Sequence, residues 1–149
     1  MTEEQFVLAQ RASACVGWRW MPGMLSVPGN QYKQDPETLR MTDEGWPAFF
    51  VCDAGHVAEW SSDPPHNAIP VLTDPATLGC LLALVREARS EPTGFLEPAD
   101  EGEWWIYCTS RRSADHWTGD TEAEALIAAL AAAPIPPPLI ETTRRRRRR

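Results

Sequence analysis

The sequence predicts an α+β fold: an antiparallel sheet in which a strand–strand–helix order occurs twice, preceded by an N-terminal helix. Three observations predict it. Two helices begin at capping boxes, Thr2 with Gln5 and Thr121 with Glu124. A third begins at Asp74-Pro75, an N-cap followed by the helical position where a missing N–H costs nothing. Between these starts lie short aromatic and β-branched runs, broken by glycine and proline turns as paired strands are.

The first helix is expected over residues 2–16. Leu8, Ala12 and Cys15 recur at spacings of four and three, which places them on one face. Gly17 stands where a helix C-terminal glycine belongs. Next comes Gly17-Trp18-Arg19-Trp20-Met21-Pro22-Gly23-Met24, two tryptophans around an arginine and then a Pro-Gly turn. If this stretch is extended, Trp18 and Trp20 share one face, and Arg19 and Met21 the other. Core packing of those rings is the preferred reading, with Arg19 stacked on a neighbouring ring. Met24-Leu25-Ser26-Val27 is a strand candidate, and the polar residues 28–37 read as a loop.

Residues 38–41, the turn Asp43-Glu44-Gly45 and residues 46–50 form a candidate hairpin. Clearer is Ala48-Phe49-Phe50-Val51-Cys52, the turn Asp53-Ala54-Gly55 and the return His56-Val57-Ala58-Glu59-Trp60. A polar loop over 61–67 leads to Ile69-Pro70-Val71-Leu72. The helix opened by Asp74 should run to about Arg89. Its core stripe is Leu78, Leu81, Leu82 and Val85, and Cys80 and Leu84 widen it, so burial on more than one side is expected. The second unit repeats the order: a strand at 104–108, a turn over 110–114, the return Asp115-His116-Trp117, and a helix over 122–132. Pro134, Pro136, Pro137 and Pro138 end that helix. Cys52 matches Cys108 and Trp60 matches Trp117, identities too few to make a duplication.

In the strand at 104–108, Trp104, Ile106 and Cys108 point one way and Trp105 and Tyr107 the other. Around 48–52, Ala48, Phe50 and Cys52 oppose Phe49 and Val51. Both sheet faces are apolar, so one needs a cover beyond the two later helices. The N-terminal helix is the expected cover, with a homodimer interface or a ligand as alternatives.

The chain has 149 residues, enough for one domain burying about two-thirds of its unfolded surface. A single domain over residues 1–140 and a flexible tail at 141–149 are expected. The net charge of −7 hides two opposed parts. Six of the 14 basic residues form the terminal run 144–149, which reads as an engineered addition; the other eight stand against 21 acidic residues, a balance of −13. An acidic body repels nucleic acid and membrane phosphates and attracts basic proteins. Direct nucleic-acid binding is therefore expected only of the arginine run. The acidic N-terminus lacks the pattern of a secretory signal, and no apolar run approaches the ~20 residues of a spanning helix, so a cytoplasmic location is expected.

Chemical motifs are few. The cysteines at 15, 52, 80 and 108 form no Cys-x-x-Cys pair and read as reduced, buried residues. Cys52 and His56 face each other across a hairpin beside Asp53, but no oxyanion element accompanies them, and a packed cysteine beside a turn histidine is the simpler reading. His116 lies at a strand end near Arg111 and Arg112, without the ligand spacing that a metal needs relative to His56 or His66. Asp100, Glu101 and Glu103 flank Gly102 and read as a solvated turn. The chain contains no phosphate-binding glycine loop, zinc-protease helix motif or nucleophile elbow. No catalytic residue, metal ligand or cofactor is assigned. The candidate ligand- or partner-binding residues are Trp18, Arg19, Trp20, Trp105 and Tyr107, because partly exposed aromatic residues and arginine are enriched at binding surfaces.

Three stretches taken together resemble a known group: the Gly17–Met24 segment quoted above, Leu72-Thr73-Asp74-Pro75-Ala76-Thr77-Leu78-Gly79-Cys80-Leu81-Leu82-Ala83-Leu84-Val85-Arg86-Glu87-Ala88, and Thr121-Glu122-Ala123-Glu124-Ala125-Leu126-Ile127-Ala128-Ala129-Leu130. The chain resembles small uncharacterised proteins encoded by bacteriophages and prophages. That resemblance implies expression in a bacterial host cytoplasm and brings no catalytic residues. With the acidic body, it leads to the expectation of a non-enzymatic phage accessory protein that binds a protein partner, such as a host defence factor that it inhibits. A small-ligand-binding protein or enzyme with an aromatic pocket is one alternative. A virion structural component is the other.

Overall fold

The structure, a computed structural model, describes residues 1–28, 38–43, 67–99, 102–110 and 113–134, with the backbone alone at 108–110 and 113–115. The hairpin expected at 48–60, the second arm of the hairpin at 38–50, the Cys52/His56 pair, Asp100, Glu101, Arg111, Arg112 and everything beyond Pro134 lie outside the described residues.

The described elements run α1 (Glu3–Ser13), β1 (Leu25–Pro28), β2 (Leu39–Arg40), β3 (Ala68–Pro70), α2 (Pro75–Ala88), β4 (Phe95–Pro98), β5 (Trp104–Ser110), β6 (Ser113–Gly119) and α3 (Glu122–Ala131). This is the expected α+β class. The described strands, however, form two antiparallel three-stranded sheets, β2-β1-β3 and β4-β5-β6, in place of one. Each of these described sheets is followed in sequence by a helix. The first strand is central in one sheet and the second strand in the other, so the two units are not topological copies.

All three helices start where their caps dictate. Thr2 Oγ1 accepts from the Gln5 N–H at 3.2 Å while Gln5 Oε1 accepts from the Thr2 N–H at 2.9 Å. Thr121 and Glu124 make the same reciprocal pair at 3.2 and 3.0 Å. Helix α1 stops at Ser13, three residues short of the expected end, and Gly17 is not its left-handed cap. What Gly17 supplies is space. A Cβ there would sit 3.0 Å from Leu130 Cδ1 and 3.4 Å from Ala88 Cβ, where α2 and α3 close on the chain leaving α1. The left-handed glycine of this stretch is Gly23, at φ 94°. It follows Pro22 in a turn closed by the Met24 N–H on the Met21 carbonyl at 3.1 Å, and proline followed by positive-φ glycine is the type II pattern.

Strand β1 pairs with β2 (Ser26 opposite Leu39) and with β3 (Val27 opposite Ile69). In α2 the fully buried stripe is Thr77, Leu81, Leu84 and Val85, with Leu78, Cys80 and Leu82 half-buried beside it. Leu84 is thus central to the buried face rather than its margin. Helix α3 buries Ala123, Ala125, Leu126, Ile127, Ala129 and Leu130 and packs on β5, β6 and α2. Helix α1 packs against β3 and α3, with Ala9 and Ala12 in the common core. It therefore joins the core side of the molecule and does not act as the cover of the second sheet's other face.

Candidate functional site

The alternation expected in the strand at 104–108 is seen at Ile106 against Trp105 and Tyr107, while Trp104 is not part of the core cluster and the Cys108 side chain lies outside the described residues. Ile106 is fully buried in the core shared with Leu126, Ile127 and Leu130. Its cross-strand neighbours Leu96 and Trp117 pack on the same core. There the Arg89 guanidinium carbon lies 3.5 Å from the Trp117 ring centre, and Arg89 Nε donates to the Ala129 carbonyl at 3.0 Å.

The opposite face of the same strands is aromatic. Phe95, Tyr107 and His116 occupy one cross-strand row, and Glu97, Trp105 and Thr118 the next. Phe95 stacks on Tyr107 with centroids 5.1 Å apart and planes at 24°. Trp105 meets Tyr107 edge-on at 5.9 Å and lies 5.7 Å from His116. Phe95 is 42% exposed, Trp105 and Tyr107 are half-buried, and His116 is exposed. Trp105 donates its indole N–H to Glu103 Oε2 at 3.3 Å. Partial burial pushes the Tyr107 phenol's pKa up, and the adjacent Glu97 carboxylate pushes it further, by disfavouring a second negative charge. The face thus presents three carbon-rich rings and an imidazole, edged by carboxylates.

Trp18, Arg19 and Trp20 lie elsewhere. The two indoles meet edge-to-face at 5.5 Å and 79°, and both pack against the core cluster. Trp18 Nε1 is buried with no hydrogen-bond acceptor among the described residues. Arg19 makes a two-pronged pair with Glu87, one prong 3.0 Å long, rather than the ring stacking expected of it. That pair holds the Glu87 carboxyl below its ordinary range. Both side chains remain more than half exposed, so the pair contributes little to stability. The four tryptophan and tyrosine residues of the expected aromatic pocket are therefore divided between a core seam and an outer sheet face.

Arg19 and Glu87 also stand at the rim of a cleft of about 780 Å³ between the C-terminal ends of the three helices. Its apolar lining includes Gly17, Leu84, Ala88, Ile127 and Leu130, and Arg11 is its other cation. Cys15 lines it as well. Burial raises the Cys15 thiol's pKa against the opposing pull of Arg11, which disfavours the thiolate. Cys15 and Cys80 are both free thiols. Among the described residues no helix is long and apolar enough to cross a membrane, and no cluster of three metal-ligating side chains occurs.

Phe95 and His116 are members of the aromatic face that sequence reasoning did not place there. Strand β4 is four residues ending in proline, with no alternation long enough to announce it; the Gly94-Phe95 junction is the only local signal. His116 is inside β6, not at its end, because that strand runs two residues beyond the expected Asp115–Trp117 return in each direction. No protein-family model, curated protein or solved structure matches the chain.

Proposed function

We propose that the chain is a non-enzymatic accessory protein of the bacteriophage kind its sequence resembles, and that it works by binding a protein partner in the host cytoplasm. The observation that carries this reading is the aromatic row on the outer face of β4–β5–β6. The inner face already supplies the core with Leu96, Ile106 and Trp117, so the core does not require Phe95, Trp105 and Tyr107. Aromatic side chains left partly exposed and edged by polar groups are the composition of a binding surface. The acidic body selects a basic partner by long-range attraction and disfavours nucleic acid. A host defence factor with a basic, nucleic-acid-binding surface is a partner of that kind.

The test is affinity capture from bacterial lysate, using the full chain and a version ending at residue 143, each compared with its Tyr107→Ala variant. Capture of one partner, weakened by Tyr107→Ala and by salt, is the expected result. Equal capture by both forms sinks the reading. The 780 Å³ cleft favours a second reading, a small-ligand-binding protein, since its size and apolar lining suit a small molecule. Thermal-shift screening against nucleotides and metabolites addresses it, with stabilisation abolished by Ala131→Trp, at an exposed residue of the cleft lining, as the supporting outcome.

A further inference from the structure

The acids of the aromatic face sit at ring edges. Glu103 accepts from the Trp105 N–H, and Glu97, cross-strand from Trp105, lies beside the Tyr107 phenol. An aromatic ring is positive at its edge and negative over its face. Carboxylates held at the edges therefore add negative potential around the ring faces without covering them. The Tyr107 face is taken by Phe95, whereas a cation lying over Trp105 is attracted by the ring quadrupole and by a carboxylate within reach of its N–H groups. The chain already uses this chemistry once on the inner face, where Arg89 lies over Trp117. The excess of acidic residues reinforces the local sign.

We propose that the outer face of β4–β5–β6 recognises an arginine-bearing segment of a protein partner, with the guanidinium stacked on Trp105, which Tyr107 meets only edge-on, and its donors turned to Glu97 and Glu103. This rests on the partner-binding reading above and names the chemistry of that partner. Arginine fits better than lysine. Its planar group stacks on a ring while still presenting in-plane donors, whereas a lysine ammonium is a compact, strongly hydrated charge.

The probe is a fluorescent peptide, acetyl-Gly-Arg-Gly-Arg-Gly-Arg-Gly-amide, followed by anisotropy against the full chain and the chain ending at 143, which lacks the competing arginine run. Both should bind it, the shorter form at least as tightly. Tyr107→Ala and the near-isosteric Glu97→Gln should each weaken binding about three- to thirtyfold. Glu4→Gln on α1 removes the same charge away from the face and should change little. The lysine counterpart of the peptide should bind several-fold more weakly. If Glu97→Gln has no more effect than Glu4→Gln, or the peptide does not bind, the proposal is overturned. Lysate capture separates the two levels. Capture that needs Tyr107 while the peptide fails to bind removes the arginine inference and keeps the partner-binding reading. Capture indifferent to Tyr107 removes both.

Discussion

Asp74 shows how much one side chain can hold together. It caps α2 through the Thr77 N–H at 2.9 Å, accepts from the Thr77 hydroxyl at 2.9 Å, and pairs with Arg40 of β2 at 2.8 and 3.1 Å. The Thr77 oxygen in turn accepts from the Leu25 N–H at 2.8 Å, so α2, β1 and β2 meet at one junction, buried at Thr77 and open to solvent at Arg40. The Arg40 hydrogen bonds, against the cost of burial and helped by Thr77, hold the Asp74 carboxyl below its ordinary range. The folded chain thus binds that proton less readily than the unfolded one. The stabilisation is complete above the unfolded carboxylate value of about 3.9 and drains away as pH falls through the lower folded value. Asp74→Ala should cost about 1–2 kcal/mol at pH 7 and flatten the acid limb of stability, as urea unfolding at several pH values would show. A limb as steep as the parent's would refute this account. Thr77→Val should cost about 1–3 kcal/mol by stranding the Leu25 N–H. The cap was legible in the sequence because Asp-Pro acts locally. Arg40 and Leu25 were not, because nothing in residues 74–77 names a partner 34 or 52 positions away.

At the scale of elements, the joint between β6 and α3 depends on Gly119. A Cβ there would lie 2.5 Å from Glu124 Cβ and 2.6 Å from the Ala125 nitrogen, so the helix start would have to move off the strand. Gly119→Ala should cost about 1–3 kcal/mol by thermal or urea unfolding. An unchanged midpoint would mean that the close approach is not held in solution. The two faces of the second sheet offer a sharper comparison. Ile106→Ala opens a hole under α3 and should cost about 2–5 kcal/mol. Phe95→Ser, on the outer face of β4 at a residue 42% exposed, should cost less than Ile106→Ala, because it opens no hole in the core. Equal costs would mean that the aromatic face is core after all. The alternation in β5 was readable from Trp104 to Tyr107 alone, as were the three helix starts. Strand β4 and the split into two sheets were not, since pairing is set by packing between distant segments and β4 carries no period long enough to detect.

For the whole molecule, the sign of the surface decides between a second copy and a foreign partner on the aromatic face. Two copies docked face to face would each bring Glu97 and Glu103 to the interface, four carboxylates with no described cation among them. Like charges brought together across an interface repel, and desolvating them on association adds to that cost. Each copy also carries the net charge of −7 into the encounter. The chain is therefore expected to sediment as a monomer at low salt, where repulsion between surface charges is least screened. The aromatic rings are ready to pair once the acids are neutralised. The Glu97→Gln, Glu103→Gln double variant should self-associate at concentrations where the parent does not, and Tyr107→Ala added to it should restore the monomer. A parent chain that dimerises at low salt, with the dimer lost on Tyr107→Ala, would give the face to a second copy. The reason for expecting otherwise is that an acidic border repels its own duplicate and attracts an arginine-bearing surface with the same groups.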